Sequence, residues 1–156
     1  TEIKNNCLFM TGSHIAHDCK IANNVILANN ATLAGHVIIN NNAIIGGLSA
    51  VHQYVRIGKY AMIGGMSGVE QDIIPYGLYT GIRSNLRGLN IIGLKRKGVN
   101  KDKILKLKKF YSLIFDNKNS IDLNVKNLKN NLIKIDELND IISFILSNSS
   151  RGICTP

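Results

Sequence analysis

The sequence predicts a three-sided parallel β-solenoid followed by a small helical domain, and two periodicities predict it. The first is a period of six. Stepping by six from Ile3 gives Ile3, Phe9, Ile15, Ile21, Leu27, Leu33, Ile39, Ile45, Val51, Ile57, Ile63 and Val69, all apolar. Four residues after each stands a small or slender side chain, from Cys7, Ser13 and Cys19 through to Ser67. Only 45% of the chain is apolar, so an unbroken run in register is not accidental. The second periodicity begins after Asn100, where apolar residues recur at helical spacing.

Residues 1–80 are assigned to the solenoid. Each six residues make one short strand and a bend, three strands make a triangular coil, and residues 3–74 make four coils. At a strand spacing of about 4.8 Å these give a prism roughly 19 Å tall. The aliphatic residue points into the prism and the small residue fits beside it near the corner, so Cys7 and Cys19 read as core filler. No coil buries its own interior, and stability comes from stacking. Solenoids built on this hexapeptide repeat coil left-handed, and the hand is taken from that likeness. The pattern breaks at Ile73-Ile74-Pro75-Tyr76-Gly77. Residues 81–99 read as a partial coil and connecting loop. Residues 100–156 read as helices: Ile104, Leu107, Tyr111 and Ile114 behind the cap Asn100, then Leu128, Leu132 and Ile135 after Ser120, then Leu138, Ile141, Ile142 and Ile145 after Asp136.

Composition bounds the partners. The net charge of +9 lies wholly in residues 81–156, since residues 1–80 carry four basic and four acidic side chains. Two readings stand: compositional drift in an Asn-, Ile- and Lys-rich chain, or a basic surface for an acidic partner. Nucleic acid is not expected, because no basic-aromatic or recognition-helix pattern accompanies the charge. Three cysteines without C-x-x-C spacing argue against disulfides or a zinc ribbon. No apolar run spans a bilayer and no leader precedes Thr1, so a cytoplasmic protein, at most peripheral to a membrane, is expected.

All four histidines fall between residues 14 and 52. With eighteen residues per coil, His17, Gly35 and Gln53 form one vertical column, and Asp18, His36 and Tyr54 the next. His14 lies one corner back and His52 sits beside Gln53. Three readings stay open. The histidines are ordinary exposed residues; or they hold a metal, as in trimeric solenoids that bind zinc between chains; or they do acid–base chemistry, with His17 as base, Asp18 fixing its tautomer, and the bare Gly35 amide as an oxyanion donor one storey above.

Four stretches carry a family likeness: HIAHDC (His14–Cys19), ILANNATLAGHV (Ile26–Val37), IIGGLSAVHQY (Ile44–Tyr54) and GLKRKG (Gly93–Gly98). Together they resemble the UDP-N-acetylglucosamine O-acyltransferases of lipid A biosynthesis, over about Gly12 to Gly98, and the tail is similar in kind to that family's C-terminal domain. The resemblance implies transfer of an (R)-3-hydroxyacyl group from acyl carrier protein to the glucosamine 3-hydroxyl of UDP-N-acetylglucosamine. It implies His17 as general base, Asp18 as its orienting neighbour and the Gly35 amide as oxyanion donor. His14, His36, His52 and Gln53 would line the cleft, with Asn90 and Arg96 nearer the diphosphate. No metal or dissociable cofactor is implied. The active site would lie between subunits of a homotrimer, and the basic tail would receive the carrier protein.

Gly65 falls where the family sets acyl length, and a glycine there implies a longer chain. The sequence also departs from the family. Arg83 replaces a histidine common in members, and Ile92 replaces an acidic residue. The family's N-terminal coils are missing, which leaves a raw strand edge on the first coil. The chain therefore reads as the C-terminal part of the enzyme. An inactive trimerisation or carrier-binding module, or a related N-acyltransferase, is the alternative.

Overall fold

The computed structural model describes residues 1–82, 85–130 and 135–156, with residues 129 and 130 as backbone only. The period of six is realised as two-residue strands on three faces. The first sheet stacks β1 (Glu2–Ile3), β4 (Lys20–Ile21), β7 (Ile38–Ile39) and β10 (Arg56–Ile57). The second stacks β2 (Leu8–Phe9), β5 (Ile26–Leu27), β8 (Ile44–Ile45) and β11 (Met62–Ile63). The third stacks β3 (His14–Ile15), β6 (Thr32–Leu33), β9 (Ala50–Val51) and β12 (Gly68–Val69). Pairing is parallel, and residue i meets i+18, as in Ile3 with Ile21 and His14 with Thr32. The column arithmetic read from the sequence therefore describes real neighbours.

The inward residues bury almost completely from Ile21 upward, with Leu27, Leu33, Ile45, Ile57 and Ile63 fully enclosed. The first coil differs. Ile3 is 50% and Phe9 37% exposed, because no coil lies beneath them.

The corners carry a regularity that apolar spacing does not reveal. The second residue of each turn adopts positive φ: Asn6, Asp18, Asn24, Asn30, His36 and Asn42 lie between 58° and 61°. Asn and Asp tolerate this region best. Leu48, Tyr54, Tyr60 and Met66 adopt it too, at 56–65°, each held by its N–H donating to the coil below (Asn29, Gly35, Asn41 and Gly47 carbonyls, 2.8–3.1 Å). At one corner asparagines also ladder: Asn5 N–H donates to Asn23 Oδ1 at 3.0 Å, and Asn23 N–H to Asn41 Oδ1 at 2.9 Å.

The segment after the break is more ordered than a partial coil and connecting loop. β13 (Gly77–Tyr79) adds to the second sheet in parallel, and β14 (Leu86–Leu89) returns antiparallel beside it. Helix α1 (Ile91–Arg96) follows, capped by Asn90, whose side chain accepts from Gly93 N–H. The expectations for Arg83 and Leu132 lie outside the described residues.

The C-terminal helices are α2 (Lys101–Ile114), α3 (Ile121–Asn130) and α4 (Asp136–Leu146). Asn100 caps α2 through Lys103 N–H, and Ser120 Oγ accepts from Leu123 N–H. Ile135, not Asp136, occupies the cap position of α4, which leaves Asp136 in the first turn. On α2 the fully packed aromatic is Phe110; Tyr111 is only half-buried. The helices are tied to the prism by charge. Asp72, fully buried, accepts from Arg56 N–H at 2.7 Å, Arg56 Nε at 2.6 Å and Ser149 Oγ at 2.6 Å. Lys59 pairs with Asp140 and Lys97 with Glu137, while the Tyr76 hydroxyl donates to Asp140 at 2.6 Å.

Candidate active site

The corner between the third and first sheets gathers the residues singled out by column arithmetic. Along an extended strand, neighbours i and i+1 point to opposite faces. At a corner with positive φ they turn together, and Asp18 (φ 58°) brings its carboxylate to 2.8 Å from His17 Nδ1. That hydrogen bond is the main reason the Asp18 carboxyl is held below its ordinary range. It also selects the tautomer: Nδ1 carries the proton shared with Asp18, so Nε2 presents its lone pair outward. Both side chains are open to solvent.

Gly35 makes this arrangement possible. A Cβ at that position would stand 2.6 Å from His17 Cε1 and 2.7 Å from Nε2, so the imidazole rests where any other side chain would be. Gly35 C=O accepts from Tyr54 N–H, whereas the Gly35 N–H donates to no acceptor among the described residues. One coil thus offers an imidazole, and the next an amide N–H without an acceptor among the described residues.

His36 completes the cluster. Its Nε2 lies 3.7 Å from Asp18 Oδ2, its ring meets His17 edge-on at 5.1 Å, and it stacks on Tyr54 at 4.7 Å. His52 and Gln53 cross the same corner one coil higher, with His52 Nδ1 3.2 Å from the Gln53 carbonyl. His14 stands on the outer face of the third sheet, exposed.

The remaining candidates are elsewhere on the chain. Asn90 and Arg96 line a groove of about 850 Å³ on the outer face of the second sheet. Its floor is an apolar stripe, Ile26, Ile44, Met62 and Leu78, and its rim carries Asn24, Asn42, Tyr60, Arg96 and Lys97. The Asn90 amide is committed twice, to Gly93 N–H and to the Tyr60 carbonyl, both at 2.9 Å. Ile92, in place of an acidic residue, is 65% exposed on the same groove. Gly65 lies at the corner between the second and third sheets, where a Cβ would meet only the Gly47 backbone, at 3.3 Å and beyond. The full width of the first sheet separates His17 from the groove, so one chain does not bring all the candidates together.

Sequence reasoning missed the groove, and it placed Tyr54 in the column above His36 without foreseeing that the two rings stack. The groove had a signal: the residue before each inward aliphatic is apolar on the second sheet (Leu8, Ile26, Ile44, Met62), while the other faces carry mostly polar or small ones.

Residues 72–154 match the family described as Udp N-acetylglucosamine O-acyltransferase, Domain 2, and residues 1–35 match the bacterial transferase hexapeptide. The chain belongs to the UDP-N-acetylglucosamine O-acyltransferase family. It is 53% identical over all 156 residues to acyl-[acyl-carrier-protein]--UDP-N-acetylglucosamine O-acyltransferase of Brucella ovis, and covers 56% of it. The UDP-N-acetylglucosamine acyltransferase of Campylobacter jejuni superposes with a TM-score of 0.90 at 39% identity, over 97% of this chain and 59% of that one. The Francisella novicida enzyme gives 0.92 at 33% identity, over 100% and 57%. The chain thus spans little more than half the length of the relatives it matches. Among the described residues no helix is long and apolar enough to cross a membrane.

Proposed function

We propose that this chain is the C-terminal part of an acyl-carrier-protein-dependent UDP-N-acetylglucosamine O-acyltransferase. It moves an (R)-3-hydroxyacyl group from acyl carrier protein to the 3-hydroxyl of UDP-N-acetylglucosamine. The observation that carries the reading is the His17 imidazole, fixed by Asp18 and lying on bare Gly35 beside an unspent N–H.

The mechanism follows from those groups. Nε2 of His17 takes the proton of the sugar hydroxyl as its oxygen attacks the thioester carbonyl. The Asp18 carboxylate stabilises the imidazolium that forms. The Gly35 N–H donates to the oxyanion of the tetrahedral intermediate. As the intermediate collapses the C–S bond breaks, and the imidazolium returns its proton to the departing thiolate of the carrier. His14, His36, His52 and Gln53 bound the acceptor around the base. The chemistry draws on no dissociable cofactor or metal.

Asn90 and Arg96 enter from a neighbouring subunit. A closed ring sets one subunit's edge against a different surface of the next, so a homotrimer brings each His17 corner to an adjacent groove over the second sheet. Arg96 then supplies a cationic donor for a diphosphate, while Asn90 caps the helix that presents it. The half-exposed Ile3 and Phe9 mark where the preceding coils of a full-length enzyme stack and wall the cleft. The basic C-terminal third suits the acidic carrier protein, and the cytoplasm supplies both substrates.

The test offers UDP-N-acetylglucosamine and 3-hydroxyacyl carrier proteins of several lengths and identifies the product by mass spectrometry. A 3-O-acyl ester is expected, with His17→Ala slower by on the order of 10²–10⁴-fold. An N-acylated product, or undiminished turnover by His17→Ala, overturns the proposal.

A further inference from the structure

Three donor atoms converge at the corner between the third and first sheets. His17 Nδ1 lies 2.8 Å and His36 Nε2 3.7 Å from Asp18 Oδ2, and one ligand atom from each of the three residues lies within 4.8 Å of the other two. A tetrahedral zinc ion with bonds of about 2.1 Å holds its ligands ~3.4 Å apart, and open zinc sites take three protein donors plus water. The two measured separations bracket that value. The third pair closes by movement of His17, whose side chain is 73% exposed.

The other two donors are held. His36 stacks flat on Tyr54, with 12° between the ring planes, and its N–H is tied to the His17 carbonyl at 3.0 Å. Asp18 and His36 occupy equivalent corner positions on successive coils, with φ of 58° and 60°, so strand stacking sets the spacing of their backbones. Two imidazoles and one carboxylate suit Zn²⁺ or Co²⁺ rather than Mg²⁺ or Ca²⁺.

We infer that this corner binds one divalent transition ion, Zn²⁺ foremost, per chain, and that the bound ion disables His17 as a base. A neutral imidazole keeps one ring proton. When the Nδ1 lone pair goes to the metal, that proton resides on Nε2, the nitrogen that must accept one from a hydroxyl. The ion also takes the Asp18 oxygen that orients the ring. It is therefore an inhibitor of the corner's acid–base chemistry and not a cofactor for it. The binding is independent of the acyltransferase reading; only the inhibition rests on it.

The experiment titrates chelator-treated protein with Zn²⁺ by calorimetry and with Co²⁺ by its visible ligand-field absorption. One ion per chain at micromolar concentration is expected. His36→Ala and Asp18→Asn each weaken it by about 10-fold or more, and His14→Ala binds as the parent does. Histidine-ring NMR of the unsubstituted protein gives a second readout, with the His17 and His36 rings shifting on Zn²⁺ while His14 and His52 stay in place. Undiminished affinity in His36→Ala, shifts confined to His14 or His52, or no binding below millimolar Zn²⁺ overturns the site. Full acyl transfer by the zinc-loaded protein overturns the inhibition.

Discussion

Gly35→Ala isolates the contact between coils on which the proposed chemistry depends. A Cβ at Gly35 meets His17 Cε1 at 2.6 Å, and ordinary contact begins at 3.4 Å, so the ring must retreat by the difference, about 0.8 Å. The ring is exposed on its outer side and can move, and Gly35 lies outside the positive-φ region, so alanine fits the local backbone. The fold should survive while the geometry does not. Misplacing a catalytic group by about 1 Å costs on the order of 10²-fold. We expect kcat/KM for 3-hydroxyacyl transfer to fall by about that factor with an unchanged melting temperature. Histidine-ring NMR should show loss of the Nδ1–H hydrogen bond to Asp18. Gly35→Ala protein that keeps both its turnover and that proton signal would refute the reasoning.

Three further outcomes follow from other contacts. Asp72→Ala removes a fully buried carboxylate and strands the Arg56 guanidinium, which should cost about 3–5 kcal/mol in denaturant unfolding; a loss below about 1 kcal/mol would refute its bracing role. Gly65→Met adds bulk at an otherwise open corner, so it should fold normally and shift acyl preference towards shorter hydroxyacyl carriers in a competition assay; an unshifted preference would remove Gly65 from the acyl groove. Burial alone would raise the Glu137 carboxyl, but the Lys97 hydrogen bond, a backbone hydrogen bond and the Lys97 charge together outweigh it and hold the group below its ordinary 4.5. A depressed folded value means that this stabilisation is complete above pH 4.5 and is lost as pH falls through the folded value. Glu137→Gln should therefore lower the melting temperature at pH 7 and flatten its decline below pH 4.5; parallel acid limbs for the two proteins would contradict this.

The prism was legible because its interior imposes one demand at every sixth residue, and nothing else in the chain competes with that demand. The same arithmetic placed His17 under Gly35 and Asp18 under His36, as the pairing of i with i+18 requires. What stayed hidden has no period. Asp72 is one charged residue at the point where the repeat fails, and its burial depends on Arg56 from the last full coil and Ser149 from beyond α4. The return strand β14 is short and carries Gly88 at φ 127°, so neither alternation nor helical spacing marks it. The resemblance sets Asn90 near the diphosphate, but nothing in the sequence marks its two hydrogen bonds, to Gly93 N–H and to the Tyr60 carbonyl. The resemblance sets Arg96 near the diphosphate and Gly65 beside the acyl chain, and their distance from His17 within one chain follows from which face each strand occupies.

The corner itself explains why the candidate chemistry sits there and not on a face. A face presents alternate residues to solvent, so a base and a carboxylate adjacent in sequence would point apart. Positive φ at the second corner position turns the Asp18 carboxylate back onto the residue before it. Asp is at once one of the few side chains that adopt this region readily and the anion that an imidazole base needs beside it. The coil above then contributes a position where the chain turns again, and there a glycine leaves both the space for the ring and an amide with no acceptor among the described residues. Glycine recurs at the first position of the turn, at Gly35, Gly47 and Gly65, and asparagine recurs at positive φ down the prism, but among the described residues Asp18 is the one carboxylate at positive φ. Among the described residues, only at 17, 18 and 35 do a histidine, a carboxylate at positive φ and a glycine one coil above coincide. The stacking register that buries the aliphatic interior is therefore the same register that assembles the site, and a one-residue slip in either coil would dismantle both.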